Sequence, residues 1–388
     1  MVRALGEAGY MTDVLRVYKK KSSWFNPLQR MKPDAYSMYV KQFYECVALQ
    51  HEDLIVKKLI EIAKKDRKVL LIPVDDYTAC IVDKALDALT EYYIVPNVNH
   101  QQGQICRLMD KNEQKKLAKP FDLPILQGAL IKSESGVFEI PGELRYPCFV
   151  KPNISMNSTK AKMAKCMDEG ELRKLLSSYA SSGDFEMLVE EFANIKAEYS
   201  LLGVSTENGV VAPALFKATK GGHRERKGVA ITGKIADTAA FETIIEKCVR
   251  FIESINYTGI FDVDFIETVD GNIYFVEINF RAGASMYAFT QVGMNLAGMF
   301  ADDQLKEIAL HKQCMISRSG LNFVSEKVLL EEYVRSDIDK SAYKACLDEA
   351  DIYFIRNDID AKPFEHYKIY EKFADFLRFA YKLKDALK

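Results

Sequence analysis

With 388 residues, 48% of them hydrophobic and 28% charged, the chain is long enough for two or three domains around sizeable cores. Lys and Arg number 53 against 55 Asp and Glu, and a formal charge of −2 excludes a global field that would draw nucleic acid or an anionic membrane. No apolar run reaches the length of a membrane span and no signal peptide opens the chain, so the expected compartment is the cytoplasm.

In chain order, residues 1–10 read as the end of a helix closed by Gly9, followed by a strand near Met11–Tyr18. Residues 19–50 are basic, then aromatic, and carry no clear period. Leu54, Ile55, Leu59 and Ile62 recur at helical spacing and predict an amphipathic helix over 54–65. A short buried strand at Val69–Pro73, a helix over 76–92 and a strand at Tyr92–Pro96 complete a small parallel α/β unit. The composition then turns charged (DKNEQKKLAK, 110–119), which places a boundary near 100–108. Beyond it come strands at Cys148–Lys151, Glu186–Phe192, Tyr199–Val204 and Val210–Ala218, with helices over 168–180 and 238–255. The tail after 311 is mixed, with helices near 340–348 and 365–387. The eight cysteines are scattered without C-x-x-C spacing, and contexts such as TACIV around Cys80 and YPCFV around Cys148 predict free buried thiols. The five histidines are scattered too, so no zinc site is expected.

The strongest signal is YTGIFDVDFIETVDGNIYFVEINFRAGAS, residues 257–285. Two apolar, β-branched and aromatic runs flank Asp270-Gly271, a two-residue turn signal, and so predict a β-hairpin. With those two residues as the loop, Asp264 lies opposite Glu277 and Asp262 opposite Asn279. Alternation puts these four and Arg281 on one face, and Phe261, Val263, Phe265, Val276, Ile278 and Phe280 on the other. Two carboxylates facing each other repel. A bridging divalent cation removes the conflict, and oxygen ligands of this kind suit Mg²⁺. The plain alternative is an acidic face pointing at water, but acid, acid, amide and arginine converging at once favour a site.

The pattern D-F-I-E…D-G-N-I-Y-F-V-E-I-N-F-R resembles the metal-binding hairpin of the ATP-grasp superfamily, in particular its amide-forming carboxylate–amine ligases. The resemblance implies that Asp264, Glu277 and Asn279 hold Mg²⁺, two ions in number with Mn²⁺ as a substitute, against the phosphates of ATP, and that Arg281 faces the γ-phosphate. It also implies phosphate-binding roles for Lys151, at a strand end, and for Lys111, in the Asp110-Lys111 pair before a helix. In LVEEFAN the resemblance assigns Glu190, Glu191, Phe192 and Ala193 to the adenine, and it assigns Glu198 to the ribose. Two features depart from the pattern. Phe280 stands where proline is frequent, and no glycine occurs between Lys151 and Gly170, where Asn153, Ser155, Asn157, Ser158, Thr159, Lys160 and Lys162 offer polar groups instead. The basic stretch 217–234 bears Lys217, Lys220, His223, Arg224, Arg226, Lys227 and Lys234 with Gly221, Gly222, Gly228 and Gly233, and reads as a loop able to close over an anion.

The fold class expected is therefore mixed α/β and α+β. An N-terminal α/β unit (1–105), whose first strand is missing relative to the family, precedes a two-lobed ATP-grasp fold (106–310, lobes about 106–195 and 196–310) and a C-terminal extension (311–388). The activity implied is an ATP-dependent ligase that joins a small-molecule carboxylate to an amine through an acyl-phosphate. No nucleic-acid or membrane partner is expected, and a homodimer is compatible. A nucleotide-binding protein without turnover and a bicarbonate-using carboxylase-type subunit stay open beside it.

Overall fold

In the computed structural model, all residues except 19–26, 49–50, 65, 155–162, 223–229, 237–240, 307–319 and 387–388 are described. Helix α1 (Val2–Glu7) leads into strand β1 (Thr12–Tyr18), which pairs in parallel with β2 (Val40–Val47). Strand β2 lies inside the stretch whose sequence shows no period. Its burial follows suit, with only Cys46 buried, so there is little alternation to read. Helix α2 (Glu52–Ile62) follows. Strand β3 (Val69–Leu70) pairs in parallel with β4 (Tyr93–Ile94), and helix α3 (Asp76–Lys84) lies between them in sequence. A short β5 (Asn97–Val98) pairs with the start of a long central strand, and α4 (Gln104–Leu108) and α5 (Lys111–Ala118) lead onward.

A four-stranded antiparallel sheet has the order β6 (Gly128–Lys132), β9 (Glu186–Glu191), β7 (Cys148–Pro152), β8 (Ala164–Cys166). Helix α6 (Glu169–Ala180) buries Leu172 and Leu176 against Val150, Met187 and Val189 of that sheet. It starts where expected because Asp168 caps it, accepting from the Glu171 N–H.

The second sheet holds the hairpin. Its path is β14 (Ile273–Asn279), β13 (Tyr257–Thr268), β10 (Ile195–Thr206), β11 (Gly209–Gly221), β12 (Ala230–Ile235), β15 (Asn322–Val324) and β16 (Ile352–Tyr353), with β5 added beside β13. Alternation along β13 sends Phe261, Val263 and Phe265 into a core shared with α7 (Glu242–Ser254), while Asp262 and Asp264 take the opposite face. The tail contributes two strands to this sheet. Its final helix is split at Phe373 into Lys362–Lys372 and Ala374–Ala386.

Four expectations need correction. The hairpin loop has three residues: Thr268 pairs with Asn272, donating its N–H to the Asn272 carbonyl, and Gly271 takes φ +84°. Near the loop the pairing is Phe265 opposite Phe275, and a bulge at Val276 then restores Asp264 opposite Glu277. Phe275, not Val276, therefore enters the core. Strands β11 and β12 run into the basic stretch, so Lys217, Lys220, Gly221, Gly233 and Lys234 belong to paired strands, while His223, Arg224, Arg226, Lys227 and Gly228 lie outside the described residues. Finally, Cys80 and Cys106 form a disulfide between α3 and α4, with Cα atoms 5.1 Å apart. The two helices are drawn together by Asp83, whose carboxylate accepts the Cys106 N–H at 2.9 Å, a contact 23 residues distant in sequence. Cys46, Cys148, Cys166, Cys248 and Cys346 are buried free thiols, and Cys314 lies outside the described residues.

Candidate active site

The site is assembled where α5 docks on the outer edge of the hairpin. Asp110 caps α5 by accepting the Glu113 N–H. One turn in, buried Gln114 completes the free edge of β14. Its amide oxygen accepts the Ile278 N–H at 2.9 Å, and its amide nitrogen donates to the Ile278 and Leu108 carbonyls at 2.8 and 2.7 Å. This mortise sets Lys111 against the hairpin, with Nζ 2.8 Å from Glu277 Oε2.

Asp264 and Glu277 are direct cross-strand partners, as are Asp262 and Asn279. Asp264 accepts from the Ser200 hydroxyl and from the Asn279 amide, both at 3.1 Å. Burial, then the charges of Asp262 and Glu277, push the Asp264 carboxyl well above the usual carboxylate range. Burial also raises Asp262, against the pull of Arg281. Burial opposes the charge on Glu277, but Lys111, Lys151 and Arg281 outweigh it and hold that carboxyl low. Arg281 itself is gripped by two acids, with Nε 3.0 Å from Asp76 and Nη1 3.2 Å from Asp262.

A second charged cluster lies under the four-stranded sheet. Lys151 Nζ is 2.7 Å from Glu190 Oε2, and Lys115 contacts the other oxygen of the same buried carboxylate. Burial, then repulsion from Lys151, pushes Lys115 down to about 7, and burial above all pushes Lys151 down to about 8. Lys115 also donates to the Leu126 carbonyl at 3.2 Å.

The remaining residues of the resemblance are spread along the connection between the sheets. Glu191 ends β9, where its carboxylate accepts the Gln127 N–H at 3.1 Å. Residues 192–194 carry the chain into β10, with the Lys165 ammonium 3.9 Å above the Phe192 ring centre. Glu198 shares the Asp264 face of the sheet, and burial raises its pKa. Asn153, one of the polar groups that replace glycine after Lys151, is fully buried and bound structurally: it donates to Asp110 at 2.7 Å and accepts the Lys111 and Asn112 N–H groups. Ser155, Asn157, Ser158, Thr159, Lys160 and Lys162 lie outside the described residues.

Asp262, Asp264, Glu277, Arg281, Glu198 and Ser200 line a cavity of about 1590 Å³ that continues along the segment Arg67–Asp76 of the N-terminal unit. Lys111, Lys151 and Glu190 are not part of that lining, so the structure brings the expected residues together in two groups, bridged by the Lys111–Glu277 contact. The sequence pattern had left Asp76, Lys115, Gln114 and Ser200 unassigned. Only Lys115 carried a readable signal, one helical turn beyond Lys111 on the same face. For a divalent cation the chemistry of the donors fits: two opposed carboxylates and an adjacent amide are oxygen ligands of the kind hard cations take. Among the described residues no group of three or more His, Cys, Asp or Glu forms a metal cage, so water or ligand oxygens would complete the shell.

Residues 116–295 match the family model of the ATP-grasp domain. This stretch is an ATP-grasp domain. The chain is 24% identical over 332 residues to a D-aspartate ligase of Enterococcus faecium, covering 77% of the chain and 75% of that protein. It is 25% identical over 284 residues to a formate-dependent phosphoribosylglycinamide formyltransferase of Ignicoccus hospitalis, of which the match spans 65%, just under two thirds. A D-alanine–D-alanine ligase of Ruminiclostridium cellulolyticum is 33% identical over 170 residues, 43% of its length. Among solved structures, the biotin carboxylase domain of Hydrogenobacter thermophilus 2-oxoglutarate carboxylase, solved with MgADP and bicarbonate, superimposes with a TM-score of 0.61 at 16% identity, covering 83% of this chain and 70% of its own. N5-carboxyaminoimidazole synthetase of Staphylococcus aureus gives 0.56 at 19% identity, covering 80% and 74%. At these identities the superpositions establish the shared fold. Among the described residues no helix is long and apolar enough to cross a membrane.

Proposed function

We propose that the chain is an ATP- and Mg²⁺-dependent ligase that activates a small-molecule carboxylate as an acyl-phosphate and passes it to an amine, releasing ADP and phosphate. The observation that carries this reading is the register that sets Asp264 against Glu277, with Asn279 and Arg281 following on the same strand line and Lys111 on Glu277. Asp264, Glu277 and Asn279 would hold the metal, two ions with Mn²⁺ as a substitute. When bound, it would neutralise phosphate charge and polarise the phosphoryl oxygens.

The protein's own groups do the rest. Lys111 and Lys151, now neutralised by Glu277 and Glu190, would exchange those partners for phosphate oxygens, a charge-assisted contact in a shielded site. Residues 190–193 would border the adenine and Glu198 the ribose. Arg281, held by Asp76 and Asp262, would stabilise charge on the transferring phosphoryl group. The small-molecule acid and amine would enter through the cavity that reaches the N-terminal unit.

The test is phosphate release with Mg·ATP over paired panels of carboxylates and amines, with bicarbonate as one of the acids. Release that requires both an acid and an amine supports the ligase. Release with bicarbonate alone would instead favour a carboxylase-type reaction, and ATP binding with no release in any pairing would leave a nucleotide-binding protein.

A further inference from the structure

In direct contact with the Arg281 guanidinium, carboxylates outnumber the cation. Asp76 and Asp262 both contact the guanidinium, at 3.0 and 3.2 Å, so two carboxylates face one cation. Asp262 is only 6% exposed, and its Oδ1 is buried without a hydrogen-bond partner although the residue lines the cavity. The other oxygen, Oδ2, lies close to Gly283, where an added Cβ would come within 2.5 Å of it. A buried oxygen of this kind is costly unless something binds it.

The neighbouring acids do not account for it. Glu277 has Lys111, and Asp264 has Ser200 and Asn279 as donors and lies opposite Glu277 in the candidate metal pair. The Ser200 hydroxyl also favours the charged form of Asp262, without a hydrogen bond to its Oδ1. What remains unbalanced is the Asp76–Asp262 pair. Arg281 already sits between these two acids, so a second dication there would meet a fixed positive charge, whereas a single positive charge closes the balance at two against two. A group with several N–H donors also matches two carboxylates with oxygens to spare.

We propose that Asp262 and Asp76 form an ammonium-binding subsite that receives the amine substrate beside Arg281. This rests on the ligase reading for the identity of the reaction, not for the site itself. The consequence is a division of labour at one residue. Arg281 turns two of its nitrogens to the acids, and its Nη2, which donates no hydrogen bond among the described residues, is the one left for an anionic group. Amine and activated acid would then be held on adjacent atoms of one charge cluster. Asp76 comes from α3 of the N-terminal unit and Asp262 from β13, so the subsite joins the two parts of the chain.

The test uses the full chain with Mg²⁺ and a non-hydrolysable ATP analogue, and reads the melting midpoint with ethylammonium, L-alanine amide or choline added. Primary amines should raise the midpoint of the wild type by several degrees. Choline, which has a charge but no N–H, should do so far less, and D76N should lose most of the shift while D76E restores part of it. D262N, where it folds, should lose the amine shift as D76N does. With an acid and amine pair that supports phosphate release, D76N should raise KM for the amine about tenfold or more and leave KM for ATP within about twofold. Equal amine shifts in wild type and D76N, or KM values for ATP and amine that rise together, would overturn the subsite, since Asp76 would then only brace Arg281. If amines shift the midpoint through Asp76 but no pairing releases phosphate, the subsite stands and the ligase reading falls.

Discussion

Asp264 is a side chain poorly placed for stability, and the proposed metal role would account for its position. Burial and two neighbouring acids raise its pKa, so the folded state binds a proton more tightly than the unfolded chain. By linkage, the stability this group contributes is present at low pH and is lost as pH rises through the raised value. Asp264→Asn removes the charge and can still accept from Ser200, so the ligand-free protein should melt no lower at neutral pH and should lose that fall in stability. Phosphate release should disappear, because an amide is a poor substitute for an anionic ligand. Glu267→Gln is the control: Glu267 lies on the other face, bonded to Lys196 and Tyr199, and activity should persist. Retained activity in Asp264→Asn, or its loss in Glu267→Gln, would remove the metal site. Glu190 makes the converse case. It is one carboxylate for two buried lysines, so Glu190→Gln should cost roughly 3–5 kcal/mol near neutral pH. With Glu190 in place, Lys115 is lowered to about 7 and Lys151 to about 8 against an ordinary 10.5. The unfolded chain therefore binds more protons than the native protein between about pH 7 and 10, and stability rises with pH there. Losing Glu190 lowers both lysines further, and the variant should show at least as steep a rise. Urea unfolding at several pH values decides it, and a flat profile would show that the lysines keep their charge without Glu190. The pairing of Asp264 with Glu277 was legible because a turn signal and a period of two suffice to set it. Asp76 was not, since its contact with Arg281 spans 205 residues and leaves no local pattern.

The hairpin itself is the element where local rules succeeded by compensation. A two-residue Asp270-Gly271 loop was expected, and the actual loop is one residue longer. The bulge at Val276 absorbs that residue, so the acids meet as the simple count had them, while Phe275 and Val276 exchange faces. Bulges leave little trace in sequence because Phe and Val suit either face of a strand. Strand β2 was illegible for a related reason: it buries only Cys46 and does not alternate. Helix α5 was legible through its capping Asp110, but its docking was not, because it depends on Gln114 completing the edge of β14. Gln114→Leu keeps the volume and strips three backbone groups of their partner. It should cost about 2–4 kcal/mol by the usual penalty for buried unsatisfied groups. Since Lys111 rides on the same helix, ATP affinity should fall together with stability. Calorimetry showing unchanged ATP affinity in Gln114→Leu would separate the docking of α5 from the nucleotide site.

On the scale of the whole molecule, the N-terminal helix is locked to residues 354–360 of the tail through the interior. Arg3 of α1 is 3.1 Å from Asp360, and its terminal nitrogens donate to the carbonyls of Phe354 and Ile355 at 2.9 and 2.7 Å. Asp360, 2% exposed, also accepts the Ser37 hydroxyl at 2.7 Å and the Met38 N–H at 2.9 Å. Close by, Glu326 in the helix Glu326–Val334 accepts the N–H groups of Phe354, Ile355 and Arg356. The tail from 320 onward is thus bound to the N-terminal unit as well as to the sheet through β15 and β16. None of this is readable in sequence, because an arginine at position 3 and an aspartate at 360 look like surface charges until the fold brings them together. Arg3→Met should be strongly destabilising, by about 3–5 kcal/mol, since it leaves the Asp360 carboxylate buried without its cation. If that uncompensated charge is the cause, Arg3→Met with Asp360→Asn should be more stable than Arg3→Met alone, because the amide oxygen can still accept from the Met38 N–H, the Ser37 hydroxyl can turn to accept from the amide nitrogen, and nothing charged stays buried. Urea unfolding of the two variants and of Asp360→Asn gives the full cycle. A double variant no better than Arg3→Met would show instead that Arg3 acts through its bonds to the Phe354 and Ile355 carbonyls, and the lock would be one of backbone contacts and not of charge.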